Sequence, residues 1–87
     1  MEARRRIAWN LRRLRTTGGL SQEALSADSG VAVPYLSGIE RGTVNPTIGL
    51  LERIAGVLGV DVAELLAVPP EGAAMPEPMR AGRKPKR

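Results

Sequence analysis

The sequence predicts an all-α fold, with a compact domain of five helices and a disordered, basic C-terminal tail. Apolar residues recur at intervals of three and four, and helix-capping residues stand between the apolar segments. No stretch alternates between apolar and polar residues, as a half-buried strand does. With 87 residues the chain has room for one small domain, which we place at residues 1–68, with the tail at residues 69–87.

The first helix is predicted from about Glu2 to Thr17. The glycine pair at 18–19 ends it, because glycine readily adopts the left-handed conformation that caps a helix. Trp9 lies off the apolar face, where it either contacts a second subunit or the tail, or covers the edge of the domain's own core. The apolar face consists of Ile7, Leu11 and Leu14. The arginines off that face are either solvated or reach phosphates: Arg5, Arg6, Arg12 and Arg13.

Two short helices joined by a tight turn at Gly30 follow. Ser21 is a suitable N-cap for helix 2, over about residues 22–29, because its hydroxyl can accept a backbone N–H. Helix 3 is expected over about residues 33–41, since Pro34 has no N–H and is tolerated only in a first turn. The apolar residues that place this pair on one buried side are Leu20, Leu25, Val31, Leu36 and Ile39.

The fourth and fifth helices complete the predicted domain. Thr47 is the expected N-cap of helix 4, which Gly59 ends, and Asp61 with Glu64 resembles a capping box that opens helix 5 over about residues 62–66. The predicted inward residues of helix 4 are Ile48, Leu51, Ile54, Ala55 and Leu58. An apolar surface at the end of helix 4 and on helix 5 is either a dimer interface or the last side of the monomer core: Leu58, Val60, Val62, Leu65 and Leu66.

The tail begins at Pro69 and contains five of the seven prolines. It has too few large apolar side chains to offset the entropy lost on ordering, so we expect it to be disordered. Its basic residues either lie along DNA or keep the chain in solution: Arg80, Arg83, Lys84, Lys86 and Arg87.

Composition and the distribution of charge limit the classes of function that the chain can have. Residues 1–17 carry six arginines and one glutamate, residues 18–68 two arginines and six carboxylates, and residues 69–87 five basic and two acidic side chains. Positive charge at both ends favours a polyanionic partner. The absence of cysteine and histidine argues against a disulfide scaffold, a metal site and general-base catalysis, so we expect no cofactor, no metal and no enzyme. Without a signal peptide or a membrane-spanning segment, we expect a cytoplasmic protein that does not bind membranes.

Several motifs then occur in order: GLSQE, the turn glycine, YLSGIERG and NPT…L…IA..LGV. Over residues 11–60 the chain resembles the phage-repressor and Cro-type (Xre-like) helix-turn-helix family, and YLSGIERG followed by NPT is particularly similar to restriction-modification controllers. The resemblance implies a lambda-repressor-like domain. It also implies a transcriptional regulator that binds double-stranded DNA as a homodimer, with helix 3 in the major groove of a two-fold symmetric operator. Phage-type repressors and antitoxins share the pattern.

The resemblance also assigns roles to side chains. Arg15 and Glu40 match an ion pair between helix 1 and helix 3, so Glu40 is expected to be structural. For Tyr35, core packing and DNA contact remain equally open. The residues expected to contact phosphate are Ser21, Gln22, Tyr35, Arg41, Thr43 and Asn45. Those expected to approach base edges are Ala32, Val33, Pro34, Ser37 and Gly38.

The predicted recognition helix differs from that of the family's members. Small and apolar residues occupy positions at which those proteins commonly have polar residues. Alanine and valine can contact a thymine methyl but form no bidentate hydrogen bonds to a base. We therefore expect specificity to rest on thymine contacts, Ser37, DNA shape and dimer spacing.

A protein-interaction adaptor or antitoxin that uses the same fold to bind a partner protein is the competing function. Apolar Ala32, Val33 and Pro34, an exposed Trp9 and the acidic middle of the chain favour it. An enzyme is disfavoured, because no nucleophile has a base beside it. The sequence shows no effector-binding domain, so no small-molecule effector is expected.

Overall fold

The computed structural model describes residues 2–70, and these form five α-helices without a strand. The helices are α1 (Ala3–Thr17), α2 (Gln22–Ser29), α3 (Val33–Arg41), α4 (Ile48–Leu58) and α5 (Ala63–Leu66). The predicted all-α, five-helix fold is confirmed. The predicted tail lies outside the described residues, except for its first two. Within residues 2–70, no helix is long and apolar enough to cross a membrane.

The helix starts follow from local hydrogen bonding. Ser21 Oγ accepts the N–H of Ala24 at 3.0 Å, and Thr47 Oγ1 accepts that of Leu50 at 3.1 Å. Gly30 joins α2 to α3 with φ of 78°, a left-handed conformation that glycine adopts without steric strain. These short-range contacts account for the close agreement between the predicted and the observed helix limits.

Helix α1 is the central element, because it packs against both α3 and α5. Helix α2 packs against α3 and α4, and α4 also contacts α5, so the helices enclose one core. The buried core residues are Ile7, Leu11, Leu25, Val31, Leu36, Ile39, Leu51, Ile54, Ala55 and Leu65.

Trp9 is buried, with 8% of its surface exposed, and the Arg13 guanidinium lies 5.4 Å from the centre of its ring. The indole is therefore covered within the chain itself and not exposed to a second subunit; a contact with the tail would lie outside the described residues. The physical reason is that α1 has neighbours on two sides, so it buries more than a single apolar face.

Ile48 is also placed differently from the prediction. It was expected to face inward, but 60% of its surface is exposed, because it is the first residue of α4 and precedes the turns that reach the core. At the other end of the domain Pro69, the first residue of the predicted tail, is buried.

Asn10 fixes the C-terminal end of the domain. Only 1% of its surface is exposed, and its Nδ2 donates to the carbonyl oxygens of Leu65 at 3.0 Å and Ala67 at 2.8 Å. A single-turn helix such as α5 leaves its own carbonyls without intrahelical partners, and Asn10 supplies donors for them. The sequence does contain a signal for this role, because Asn10 stands three residues after Ile7, on the inner side of α1, where a polar group needs partners.

Candidate nucleic-acid interface

Helix α3 buries one side and exposes the other. Leu36, Ile39 and Glu40 are buried. On the opposite side Ala32, Pro34 and Arg41 are exposed, while Val33 and Ser37 are half-buried. We call the surface made by Ala32, Val33, Pro34, Ser37 and Arg41 the outer face of α3. Val33, Ser37 and Arg41 follow one another at intervals of four residues, so they form a row along the helix.

Gly38 does not belong to the outer face. It is buried, and a Cβ added to it would lie 2.8 Å from Cγ1 of Val44 and 3.4 Å from Oγ1 of Thr43. The expectation that it faces outward towards a base edge is therefore wrong. The loop after α3 packs on this glycine instead, and Thr43 donates its N–H and its hydroxyl to the Gly38 carbonyl at 2.9 and 3.2 Å.

Arg15 and Glu40 form a buried, bidentate ion pair between α1 and α3. Arg15 is fully buried and Glu40 is 2% exposed. Arg15 Nε donates to Glu40 Oε2 at 2.6 Å, and its Nη2 donates to Oε1 at 2.9 Å. The remaining nitrogen, Nη1, donates to the Leu20 carbonyl at 2.8 Å. The charge of each partner is thus matched within the core, and α3 is held against α1.

Two more side chains converge on Glu40. Gln22 Nε2, from the first residue of α2, donates to Glu40 Oε1 at 3.1 Å. Arg12 Nη2 donates to the backbone carbonyl of Glu40 at 3.1 Å, near the C-terminus of α3, where a cation is favoured by the helix dipole. One carboxylate therefore joins α1, α2 and α3. Sequence reasoning paired Glu40 with Arg15 but did not foresee its contacts with Gln22 and Arg12.

The other residues expected at DNA phosphates lie on α2, α3 and the following loop. Ser21 uses its hydroxyl to cap α2, and Tyr35 is half-buried and packs against the core. Thr43 and Asn45 are exposed on the loop after α3. Arg41 donates from Nη1 to Ser37 Oγ at 2.6 Å, on the exposed side of α3. Arg41, Thr43 and Asn45 thus lie at the C-terminal end of α3, and Gln22 reaches the same end through Glu40.

The surface proposed for dimerisation is only partly available. Leu65 is completely buried, because α5 closes the core beside α1, and its assignment to a dimer interface is wrong. The remaining residues pack against the core but keep part of their surface exposed: Leu58, Val60, Val62 and Leu66. In the described part of the chain, no cluster of acidic side chains is arranged to hold a metal ion.

A short helix pair joined at Gly30, with its second helix exposed along one side and braced by a buried carboxylate on the other, defines a helix-turn-helix domain. The chain belongs to the HTH_3 helix-turn-helix family, whose model matches residues 11–65. The resemblance to this class of transcriptional regulators is thereby confirmed.

Individual relatives agree with that assignment. The HTH-type transcriptional regulator y4dJ of Sinorhizobium fredii is 44% identical over 66 residues, which cover 76% of this chain and 86% of that protein. The restriction-modification controller C.AhdI of Aeromonas hydrophila has a similar structure, with a TM-score of 0.69, 37% identity, and coverage of 71% of this chain and 94% of the controller.

A second controller, C.Esp1396I, was crystallised as a tetramer with its natural 35-base-pair operator. Its structure matches with a TM-score of 0.66 and 29% identity, over 77% of this chain and 99% of the controller. Other curated relatives are longer, and the chain spans about half of their length.

Proposed function

We propose that this chain is a sequence-specific transcriptional regulator that binds a two-fold symmetric operator as a homodimer, with α3 in the major groove. The observation that carries the proposal is the division of α3 between an exposed outer face and a buried side that Glu40 holds to α1 and α2. An α-helix fits the major groove, and a rigidly supported helix loses little freedom on entering it.

Phosphate contacts on either side of the groove would position the helix. At the start of α2, the backbone N–H groups of Gln22 and Glu23 and the second N–H of the Gln22 side-chain amide face a phosphate, while Glu40 holds the other side-chain N–H. Beyond α3, Asn45 contacts the opposite backbone, and the Tyr35 hydroxyl does the same from α3. Thr43 would have to exchange its hydroxyl bond to Gly38 for one to a phosphate. Because the loop that carries Thr43 is bonded to Gly38, its position is set by α3 itself.

The homodimer would form through the exposed parts of Leu58, Val60, Val62 and Leu66. Two copies related by a two-fold axis would place their α3 helices about one turn of DNA apart, roughly 34 Å or a multiple of it. The crystallised tetramer of C.Esp1396I on its operator supports multimeric binding by a relative of this chain.

Selection of binding sites from a random DNA pool tests the proposal. The wild-type chain should enrich a symmetric sequence with a fixed half-site spacing, and its affinity should fall as salt rises. Ala32→Asp is the informative variant, because Ala32 is the exposed N-cap residue of α3 and has no side-chain cap bond. Aspartate is a better N-cap, so the melting temperature should hold or rise, while the added negative charge on the outer face should abolish binding.

Ala67→Asp is the matched control. Ala67 is exposed after α5, and the same charge at that position should leave DNA binding intact. If the wild-type chain enriches no sequence at moderate salt, or if Ala32→Asp binds as the wild type does, the proposed interface is wrong.

The adaptor or antitoxin function retains one supporting observation, the apolar outer face at Ala32, Val33 and Pro34. Trp9 no longer supports it, because the indole is buried. A wild-type chain that selects no DNA but binds a partner protein through the Ala32 surface would favour this function over DNA binding.

A further inference from the structure

The guanidinium group of Arg41 lies on the outer face of α3, although Arg41 stands at the end of the helix. Arg41 is the last residue of α3, and sequence reasoning placed it at a phosphate beyond the helix end. Its Nη1 instead donates to Ser37 Oγ at 2.6 Å, one turn towards the N-terminus. Long side chains on helices lean in that direction. The guanidinium therefore lies on the outer face, beside Ser37.

We propose that Arg41 reads a guanine in the major groove and that Ser37 orients it. This inference rests on the proposed function, in which α3 enters that groove. Arginine presents five N–H donors in a planar fork that matches the O6 and N7 acceptors of guanine. The contact with Ser37 uses one of these hydrogens, and the others remain for the base.

The N–H donors of Arg41 favour guanine over the other bases. Because Ser37 Oγ accepts from a cation, its own hydrogen is left to act as a donor. The Arg41 guanidinium offers donors alone, and Ser37 can add its hydroxyl hydrogen. Guanine shows two acceptors in the major groove, whereas adenine and cytosine each show a donor and thymine shows one acceptor beside a methyl group.

The residues around Arg41 leave most of its N–H donors available to a base. Among residues 2–70, the Arg41 side chain has no carboxylate partner, and the neighbouring Glu40 carboxylate is buried and occupied by Arg15 and Gln22. Val33 and Pro34 add no competing polar group, but they can contact thymine methyls beside the guanine. A half-site with one guanine next to thymines is therefore expected.

Arg41→Gln and Arg53→Gln form the matched pair that tests this assignment. Both substitutions remove one positive charge from an exposed arginine. Arg53 lies on α4, with its guanidinium beside the turn at Gly30 and not on the outer face itself. The wild-type chain should select one guanine in each half-site. Arg41→Gln should lower the preference for that guanine about 5- to 150-fold, the range of a bidentate base contact, and leave the other positions unchanged. Arg53→Gln should keep the wild-type preference.

Two further measurements separate base reading from charge. Replacement of the selected guanine by 7-deazaguanine removes the N7 acceptor, so it should weaken binding of the wild type but not of Arg41→Gln. Ser37→Ala keeps the charge of Arg41, so it should reduce discrimination at the same position, by less than Arg41→Gln does, without a change in the salt dependence.

The outcomes distinguish this inference from the proposed function. A wild-type chain that enriches no DNA overturns both. A symmetric site without a selected guanine overturns the role of Arg41 alone. So does an Arg41→Gln variant that loses affinity equally for all sites with a shallower salt dependence, because that is the behaviour of a phosphate contact. Melting temperatures equal to the wild type would show that neither arginine variant acts through folding.

Discussion

Glu40→Ala should destabilise the domain severely, because it strands the fully buried guanidinium of Arg15. The substitution removes the acceptors of two Arg15 nitrogens and of the Gln22 amide, and leaves Arg15 only its bond to the Leu20 carbonyl. Breaking a buried ion pair on one side costs about 3–5 kcal/mol. A domain of about 70 residues has a total stability of roughly 3.5–10 kcal/mol, so this loss is a large part of it.

Thermal unfolding followed by circular dichroism measures the effect. The melting temperature should fall by roughly 12–40 °C, since each kcal/mol shifts it by about 4–8 °C in a domain of this size. Glu52→Ala is the control, because Glu52 is exposed on α4 and its loss should change the free energy of unfolding by about 0.5 kcal/mol or less.

A double variant, Arg15→Met with Glu40→Met, separates two effects on the free energy of unfolding. One is the cost of leaving the Arg15 charge buried without a partner, and the other is the contribution of the ion pair itself. Replacing both charges by apolar side chains of similar volume should recover most of the lost stability. A wild-type melting temperature in Glu40→Ala would refute the structural role of the pair. A double variant as unstable as Glu40→Ala would instead show that the stranded charge is not the cause.

Four other expectations follow, three from the backbone and packing of glycines and one from the charge of the tail. Gly38→Ala should destabilise the domain by about 1–3 kcal/mol and weaken DNA binding, because its Cβ would displace Val44. Adding Val44→Ala should restore part of the stability and part of the binding, as unfolding and binding curves of the double variant would show. Gly56→Ala should raise the free energy of unfolding by about 0.5–1 kcal/mol, since the added methyl meets open space inside α4. Gly59→Ala, at φ of 74°, should lower it in the same assay. Removal of residues 71–87 should weaken binding and flatten its salt dependence; an unchanged slope would show that the tail does not contact DNA.

The sequence predicts the helix limits well, because the signals that set them are local. Ser21 and Thr47 accept backbone N–H groups within three residues, and Gly30 and Pro34 restrict the backbone at their own positions. None of these effects requires knowledge of the tertiary packing. The periodic spacing of the apolar core residues is likewise a property of the local sequence.

The predictions from the sequence are wrong for residues at which segments far apart in the sequence pack together. Trp9 is buried because α1 lies between α3 and α5, and Gly38 is buried because a loop returns over it. Neither contact can be read from the periodicity of a single helix. Leu65 likewise faces α1 rather than a second subunit, since α5 is needed to close the core. For the candidate site, sequence similarity identified the Arg15 and Glu40 pair, but the Arg41 contact with Ser37 depends on a side-chain conformation that only coordinates provide.

The two sides of α3 can vary independently of each other. Leu36, Ile39 and Glu40 tie the helix to the rest of the domain, whereas Ala32 and Pro34 contribute little to the core. If α3 enters the major groove as proposed, substitutions on its exposed side change which operator is bound while the folded scaffold stays the same. A gene duplicate of such a protein can acquire a new set of target promoters through a few codon changes, without passing through an unfolded intermediate.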